Sequence, residues 1–343
     1  MELDIEDFPA LEEYLRRNRH VSPGEMVAFQ RLSGGISNKT VRVAWQDGPV
    51  WILKQALAKL RVSADWFSSP ERIRVEANGL RWLNRLAPAG ATPAFLWEDS
   101  DNHLMAMESV PAGHENWKSL LLAGQIKPEL FAQFGILLGT IHRRSSEALI
   151  DVRVVFEATI YFESLRLQPY YVYTADAILA AAPFFRALVQ ETRQHKLSLV
   201  HGDFSPKNTL IYQGRLIILD YEVVHFGDPA FDAGFALAHF LSKAHHLRSN
   251  RVRLANSTAV FWQSYASEIS SVPWADALEA RVVRQALGCL LARVAGKSPL
   301  EYLTKTELLR QGKVVLSMMN APPNSVRTLI DEFIGKIGDY ADN

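Results

Sequence analysis

The stretch from Leu199 to Asp232 constrains the fold of this chain more than any other part of its sequence. It reads LVHGDFSPKNTLIYQGRLIILDYEVVHFGDPAFD, and polar residues stand at the edges of its short apolar runs. The runs Leu210–Tyr212 and Leu216–Leu219, separated by Gln-Gly-Arg, predict a tight β-hairpin. A hairpin places the chain before its first strand next to the chain after its second. The sequence therefore predicts that side chains from both flanks of this hairpin meet.

Three oxygen-bearing side chains lie on those flanks, namely Asp203, Asn208 and Asp220. Phosphoryl transfer from a nucleotide needs a carboxylate that accepts the proton of the attacking hydroxyl, and hard oxygen ligands that hold Mg²⁺ against the phosphates. Asp203 suits the first role, and Asn208 and Asp220 suit the second. Glu222, two residues beyond Asp220, adds a ligand for a second metal ion if the strand continues. The pattern predicts a metal-phosphate site.

The run HGDFSPKN, followed by LDYE and GDPAFD, resembles the catalytic and metal-binding loops of the aminoglycoside phosphotransferase and choline kinase superfamily, the small-molecule relatives of protein kinases. The resemblance implies that Asp203 is the catalytic base and that Asn208 and Asp220 bind Mg²⁺. It also implies a two-lobed, protein-kinase-like α+β fold. An antiparallel-sheet N-lobe at residues 1–110 would bind ATP, and a mainly helical C-lobe at residues 111–343 would carry the catalytic groups and the acceptor.

A glycine-containing loop separates the predicted strands Met26–Leu32 and Thr40–Ala44. Adjacent glycines let a backbone approach phosphate groups closely, and neighbouring polar side chains add donors. The same pattern is also typical of a plain hairpin turn. Its position before the later motifs favours a loop that covers the nucleotide phosphates. The residues assigned to this loop are Ser33, Gly34, Gly35, Ser37 and Asn38.

Lys54 ends the apolar strand that begins at Val50. A lysine there either reaches solvent or meets an anion, and a phosphate-binding lysine needs an acidic partner. Ser69-Pro70-Glu71 marks the start of a helix, on which Glu76 faces the strand. We expect Lys54 and Glu76 to form an ion pair, although a helical glutamate is often merely exposed to solvent.

The segment KQALAKLRVSADWFSSPERIRVE is similar to the corresponding stretch of bacterial methylthioribose kinases, which favours a sugar-like acceptor. A later change from a strand to a Pro/Gly segment indicates a lobe boundary. The superfamily resemblance implies that this segment is the hinge, where the backbones of Glu108 and Val110 contact adenine with Met107 beside it.

We further expect His201 to be structural and Asp232 to tether or cap. The run SPLE at Ser298 predicts a capping box.

Lys and Arg number 37, as do Asp and Glu, so no overall charge recruits nucleic acid or a membrane surface. The only cysteine, Cys289, excludes an internal disulfide and fits a reducing compartment. We find no signal-peptide pattern and no apolar run long enough to span a bilayer, and we expect a cytoplasmic monomer or homodimer.

These patterns predict a kinase that transfers the γ-phosphate of ATP to a hydroxyl of a small molecule, with a sugar-like metabolite favoured. The chain beyond Leu241 carries 13 basic and 9 acidic residues, which does not suit polycationic aminoglycosides. An aminoglycoside-modifying enzyme and a non-catalytic, nucleotide-binding pseudokinase remain alternatives. Protein kinase activity is disfavoured because GDPAFD follows the metal motif at once and leaves no room for a long activation loop.

Overall fold

The computed structural model describes residues 3–32, 35–61 and 65–339. The N-terminal part contains a five-stranded antiparallel sheet, and the C-terminal part is mostly helical with two small sheets. The predicted α+β fold, with its antiparallel N-terminal sheet, is confirmed. The N-terminal elements are Phe8–Arg17 (α1), Val27–Arg31 (β1), Asn38–Trp45 (β2), Val50–Ala56 (β3), Arg72–Leu86 (α2), Phe95–Asp99 (β4) and Leu104–Glu108 (β5).

The C-terminal part begins at a short strand and is dominated by long helices. Its strands are Glu115–Asn116 (β6), Ser198–Val200 (β7), Thr209–Tyr212 (β8), Arg215–Ile218 (β9) and His225–Gly227 (β10). Its helices are Trp117–Leu122 (α3), Pro128–Glu147 (α4), Leu149–Phe156 (α5), Ile160–Phe162 (α6), Tyr173–Ala177 (α7), Ala182–Gln194 (α8), Ala230–His246 (α9), Arg251–Glu268 (α10), Leu278–Ala295 (α11), Lys305–Met319 (α12) and Val326–Asp339 (α13). A π-helical segment, Glu163–Val172, joins α6 to α7, and 3₁₀ turns occupy Leu179–Ala181, Pro206–Asn208 and Arg248–Asn250.

The large sheet has the strand order β1-β2-β3-β5-β4. Successive side chains of a strand point to opposite faces, so the two faces of β3 have different tasks. Leu53 is fully buried in a small apolar cluster with Leu11 and Leu15 of α1. Lys54 therefore points to the other face, where α2 lies and where Met105 and Met107 join the main core. Packing of α1 on one face thus directs Lys54 toward the interior between the two parts of the chain.

Helix α2 approaches the chain that follows β9 very closely. A Cβ atom at Gly79 would lie 2.8 Å from the Cβ of Tyr221, a separation that no larger residue tolerates without movement. Tyr221 itself is fully buried and donates its hydroxyl hydrogen to the carbonyl of Ile218. Gly79 therefore allows α2, which carries Glu76, to pack directly against the segment that carries Asp220.

The C-terminal core is built around α9, of which nearly every residue is buried. Aromatic rings on three helices meet there, since Trp117 of α3 contacts Phe134 of α4 and Phe240 of α9 with ring centroids 4.9 and 5.5 Å apart. Burial of such large side chains stabilises the folded state by roughly 1.5–3 kcal/mol each. This rigid core supports the loops that carry the polar motifs of Leu199–Asp232.

Two expected helix starts differ from the structure. The run SPLE at Ser298 is irregular, and α12 begins at Lys305 with a capping box formed by Thr304 and Glu307. Ser298 instead contacts Arg293, which explains why its side chain does not cap a helix. Helix α2 begins at Arg72, slightly later than expected, after a turn in which the Ser69 hydroxyl accepts a hydrogen bond from the Glu71 amide.

Among the described residues, no single helix has the length and apolar character needed to cross a membrane. One bent pair, Ile160–Ala177 with Leu179–Gln194 at 115°, passes that test only when its two arms are taken together.

Candidate active site

The loop after β7 is held by a buried carboxylate. Asp232 accepts hydrogen bonds from the backbone amides of His201 (2.6 Å) and Gly202 (2.8 Å), and His142 lies 3.3 Å from it. Gly202 has φ +77°, and a Cβ atom there would lie 2.8 Å from Val223, so the turn requires glycine. The expectation that Asp232 tethers rather than binds metal agrees with these contacts, and the loop is fixed immediately before Asp203.

Asp203 lies at the wall of the cleft with its carboxylate held from two sides. Arg166 lies 2.9 Å from Oδ2, and the side-chain amide of Asn208 donates to the same oxygen at 2.7 Å. The side chain is largely buried but lines the cleft between the two parts of the chain. His201 accepts a hydrogen bond from the Asp203 amide through Nδ1, as expected for a structural histidine. The carboxylate is therefore preorganised and points to a space where a ligand can bind.

The predicted hairpin forms and brings the second motif to the first. β8 and β9 pair through a two-residue turn, Gln213-Gly214, in which both residues have positive φ, as the tight twisted hairpin turn demands. The Leu219 amide then donates to the Asn208 carbonyl at 2.8 Å. Asp220 follows with φ +73°, a conformation that non-glycine residues rarely adopt and that is often found at functional sites.

Lys54 lies between two carboxylates. Its Nζ donates to Glu76 of α2 and, at 3.0 Å, to Asp220. Asn38 of β2 donates its side-chain amide to the other Glu76 oxygen at 3.4 Å. The expected Lys54–Glu76 pair is present, and it links the N-terminal sheet, α2 and the metal-motif segment in one network.

Burial and charge act on this network in opposite directions. Burial alone would make the Lys54 ammonium less stable, but Asp220 and Glu76 outweigh that effect and raise the pKa of Lys54 above its ordinary value. Burial likewise opposes ionisation of Asp220, yet Lys54, with Lys207 farther away, lowers the pKa of this carboxyl below its usual range. Asp220 is therefore an anionic oxygen donor at neutral pH.

Glu222 has a partner that the sequence did not indicate. Arg72 of α2, which is fully buried, donates from Nε to Glu222 at 3.0 Å and also to the carbonyl of Ser37. One oxygen each from Glu76, Asp220 and Glu222 lie within 4.8 Å of one another, a grouping that suits a cation with hard oxygen ligands. Of these three side chains, Asp220 is the most exposed, at 24% against 1% for Glu76 and 7% for Glu222, so it is the carboxylate most accessible to a metal ion.

The expected nucleotide loop is described only in part. Ser33 and Gly34 lie outside the described residues. Gly35, Ser37 and Asn38 line the cleft, and the Oδ1 atom of Asn38 is buried without a hydrogen-bond partner in the described chain. A buried amide oxygen without a partner is costly unless a ligand or water satisfies it.

Met107, Glu108 and Val110, which we predicted to form the hinge, line the same cleft. The Glu108 amide already donates to the Ala94 carbonyl at 2.9 Å, so that hydrogen is not available to a base. Within the described chain, the Val110 amide has no such backbone acceptor. Of the two predicted hinge residues, Val110 therefore offers the open donor.

The cleft encloses about 1250 Å³, and residues of both parts of the chain line it. At one end lie the sheet, the hinge and the charged network around Lys54. At the other lie residues from α3, the π-helical segment, α9 and α11. A volume of this size accommodates a nucleotide together with a second small molecule.

The model of the phosphotransferase enzyme family matches residues 28–259, which is more than half of the chain. The chain belongs to this family. The predicted small-molecule phosphotransferase is thereby confirmed at the level of the family.

Curated relatives of this phosphotransferase agree with the local similarity seen in its sequence. The methylthioribose kinase of Pectobacterium atrosepticum is 23% identical in an alignment 335 positions long, and the alignment covers 87% of this chain and 83% of the relative. The methylthioribose kinase of Cronobacter sakazakii is 23% identical in an alignment 390 positions long, which covers 93% of this chain and 94% of the relative. The predicted similarity to methylthioribose kinases is confirmed.

Solved structures share the fold of the phosphotransferase. An amicoumacin kinase in complex with AMP-PNP, Ca²⁺ and Ami superposes with a TM-score of 0.62 at 16% identity, covering 95% of this chain and 96% of the other. A choline kinase of Cryptosporidium parvum gives 0.52 at 12% identity, covering 98% and 97%. The predicted kinase-like fold is confirmed by these structures.

Several residues at the end of the phosphotransferase cleft away from the predicted hinge were not predicted from the sequence. Arg166 and Tyr170 lie on the π-helical segment, where Pro169 lacks an amide hydrogen and disturbs α-helical hydrogen bonding. Trp66 donates from its indole nitrogen to the Ser164 carbonyl at 3.2 Å and so links the N-terminal part to that segment. In the sequence, this region is distinguished by four tyrosines, Tyr161, Tyr170, Tyr171 and Tyr173, a pattern that does not by itself indicate a pocket.

Proposed function

We propose that this protein transfers the γ-phosphate of ATP, in the presence of Mg²⁺, to a hydroxyl group of a small sugar-like metabolite. One observation carries the proposal: the side chains of Lys54, Asp203, Asn208 and Asp220 surround one cleft and are already held by hydrogen bonds or ion pairs. Charged groups fixed before the substrate binds can stabilise a transition state without reorganising.

The side chains around the cleft would have separate roles in the transfer reaction. Asp203 would accept the proton of the acceptor hydroxyl, because Arg166 and Asn208 orient its carboxylate toward the cleft. The hydroxyl oxygen would bond to the γ-phosphorus while the bond to the bridging oxygen breaks, and ADP would leave with that electron pair. Lys54, fixed by Glu76, would hold the phosphates.

The oxygen-rich donor set fits Mg²⁺, which prefers carboxylate and amide oxygens. Asn208 and Asp220 would hold the ion, with Glu222 as a further ligand through the oxygen that Arg72 leaves free. When bound, the ion neutralises charge on the phosphates. The neighbour solved with AMP-PNP and Ca²⁺ supports a nucleotide and a divalent cation in such a cleft.

Residues 1–110 would form the nucleotide-binding lobe and residues 111–343 the catalytic and acceptor-binding lobe. Gly35, Ser37 and Asn38, with Ser33 and Gly34, would cover the phosphates, and Met107, Glu108 and Val110 would border adenine. The reaction needs ATP, and Cys289 is a buried free thiol, so we propose the cytoplasm as the place of action.

The methylthioribose kinase relatives favour a sugar-like acceptor. A polycationic aminoglycoside is a weaker candidate. Among the described residues, the far end of the cleft contains His239, Arg293 and Lys118 but only one acidic side chain, Glu301, which is already paired with Lys118. A pseudokinase is disfavoured by the intact network of Lys54, Asp203 and Asp220.

The proposal is tested by ADP release from ATP and Mg²⁺ across sugars, amino alcohols and aminoglycosides. We expect one acceptor class to stimulate release in the wild type and not in Asp203→Asn. The exposed-residue variant Asp276→Asn serves as the matched control and should behave as the wild type. Stimulation by aminoglycosides alone would contradict the sugar-like assignment, and no stimulation despite AMP-PNP binding would favour the pseudokinase.

A further inference from the structure

The end of the cleft opposite the hinge has a charge composition unlike the rest. We call it the basic end and define it by Lys118, Lys207, His239, Lys243 and Arg293. All except Lys243 line the cleft, and Lys243 lies directly behind His239, to whose carbonyl it donates at 3.3 Å. Within the described residues, no carboxylate lies within 4.0 Å of Lys207, Lys243 or Arg293.

Lys243 is fully buried, and no carboxylate in the described part of the chain pairs with it. Its Nζ lies 5.3 Å from the centre of the Tyr302 ring, and that ring also faces Lys118 at 6.0 Å. Burial, with the neighbouring cations Lys118 and Arg293, lowers the pKa of Lys243 to about 7. A buried ammonium in such surroundings is costly, and an anion bound nearby would remove most of that cost.

Arg293 has unused donor capacity at the wall of the cleft. The residue is 8% exposed, and its Nη1 donates to both oxygens of Ser298 and to the Tyr170 hydroxyl. Its Nε is buried and has no hydrogen-bond partner in the described chain. A guanidinium with a free donor edge is a receptor for carboxylate or phosphate groups.

Tyr170 relates the basic end to the proposed base. Its ring centre lies 5.8 Å from the Arg166 guanidinium, which pairs with Asp203, and 5.5 Å from that of Arg293. The basic end therefore lies one aromatic residue away from Asp203. A single small molecule can reach both places.

We propose that the acceptor is a small hydroxylated anion, whose carboxylate or phosphate group binds at the basic end while its hydroxyl lies against Asp203. This inference rests on the function proposed above. Burial and the adjacent cations Lys243 and Arg293 keep the pKa of His239 well below its ordinary value, so its imidazole is neutral. This imidazole would supply one further hydrogen-bond donor to the anion. Glu301, paired with Lys118, is the acidic side chain that the described residues place at this end of the cleft.

The test measures ligand binding to the full-length protein saturated with AMP-PNP and Mg²⁺, so that the γ-phosphate position is already filled. The probes are matched sets on one skeleton: glucose, gluconate and glucose 6-phosphate; ribose, ribonate and ribose 5-phosphate; and glycerol, glycerate and glycerol 3-phosphate. Ionic strength is equalised with chloride, and Tm shifts and dissociation constants are recorded. The acid and phosphate members distinguish the two sources of negative charge.

We expect at least one anion to bind about tenfold or more tightly than its neutral counterpart, a difference of about 1.4 kcal/mol. Lys243→Met and Arg293→Met should abolish that preference while AMP-PNP binding stays unchanged. Lys118→Met should also reduce the preference for the anion. Because Lys118 is partly exposed, this variant keeps the test valid if a core variant fails to fold. Lys313→Met and Arg253→Met, on exposed helical positions, are the matched controls.

Equal binding of neutral and anionic members, or binding of neither, would overturn the inference. An anion preference that survives in both Lys243→Met and Arg293→Met would do the same. If these variants weaken AMP-PNP instead, the basic end serves the nucleotide phosphates and the inference is also wrong. Failure of AMP-PNP and Mg²⁺ to stabilise the wild type would instead reject the proposed function itself, so the two failures are distinguishable.

Discussion

The two ends of the cleft treat charge differently. Around Asp203 and Asp220, each carboxylate has a basic partner, namely Arg166 at 2.9 Å and Lys54 at 3.0 Å. At the basic end, Lys243 and Arg293 lack such partners within the described residues. At one end the carboxylates are paired with cations before any ligand arrives, and we call it the balanced end for that pairing, whereas the other end carries excess positive charge.

This difference separates two tasks of a transfer enzyme. Balanced and hydrogen-bonded groups keep their geometry, which is what positioning of reacting atoms requires. Unbalanced buried charge destabilises the free protein and is relieved by a ligand of opposite sign. We therefore expect substitutions at the balanced end to affect turnover or folding. Substitutions at the basic end should affect acceptor binding, and replacement of the unpaired Lys243 should also improve stability.

The largest expected effect follows from Asp203→Asn. An amide cannot accept the hydroxyl proton, so turnover should fall by about 10³-fold, within the range for loss of a general base. Nucleotide binding should persist, because Lys54 and Asp220 are unchanged. Turnover by ADP release and affinity by AMP-PNP titration check this, with Asp276→Asn as control. A parallel loss of both properties would show that Asp203 acts in binding rather than in proton transfer.

Asp232→Asn should destabilise the loop that carries Asp203 at the balanced end, although Asp232 itself is not assigned a contact with substrate. The new amide group cannot accept from both the His201 and Gly202 amides, so a buried donor loses its partner. We expect a loss of about 3 kcal/mol in the free energy of unfolding. Urea denaturation measures it, with the exposed variant Asp331→Asn as control. A change no greater than that of the control would mean that the tether does not stabilise the loop.

Asp220→Ala should weaken nucleotide binding at least tenfold in the presence of Mg²⁺, about 1.4 kcal/mol. Without Mg²⁺ the effect should largely disappear, because the role assigned to Asp220 is ligation of the ion. AMP-PNP titration with and without Mg²⁺ provides the measurement. Equal affinities of wild type and variant in Mg²⁺ would contradict the metal role.

Lys243→Met should have the opposite sign and stabilise the protein by about 1 kcal/mol at neutral pH. Replacement of an unpaired buried charge by an apolar side chain of similar size removes the desolvation cost. Urea denaturation again provides the measurement, with Lys313→Met as the exposed control. Destabilisation by Lys243→Met would show that Lys243 already has a compensating partner, and the contrast between the two ends would fail.

The gain from Lys243→Met should also depend on pH. The pKa of Lys243 is lowered to about 7 from an ordinary value of 10.5, so the unfolded chain holds this proton between those values. The contribution of Lys243 to the free energy of unfolding of the wild type therefore becomes more favourable as the pH rises through that window. The advantage of the variant should be largest near pH 6 and should shrink toward pH 10. The neighbouring charges Lys118, Arg293 and Glu301 are present in both proteins, so the prediction concerns the difference in stability between the variant and the wild type. A gain that does not change with pH would contradict this origin.

The sequence predicted the balanced end well because its groups belong to short motifs. Asp203, Asn208 and Asp220 follow from one hairpin, and Lys54 and Glu76 follow from a strand and helix with clear apolar stripes. The geometry brings these residues together, and their individual roles stay predictions.

Long-range partners could not be predicted in the same way. Arg72 and Glu222 are 150 residues apart and Arg166 contacts the loop of Asp203 from a π-helical segment with no strong pattern. Lys243 lies in an apolar helix, α9, where the sequence gives no indication that it is buried. The false capping box at Ser298 has the same cause, since Arg293 takes up the side chain and carbonyl of that serine.

The most direct test of the account is the mass of the acceptor after incubation with ATP, Mg²⁺ and the wild-type protein. The account predicts that one hydroxylated small molecule gains a single phosphoryl group, in step with ADP release, and that Asp203→Asn forms neither product. ADP formation that does not depend on any acceptor, or that persists in Asp203→Asn, would contradict phosphoryl transfer through Asp203.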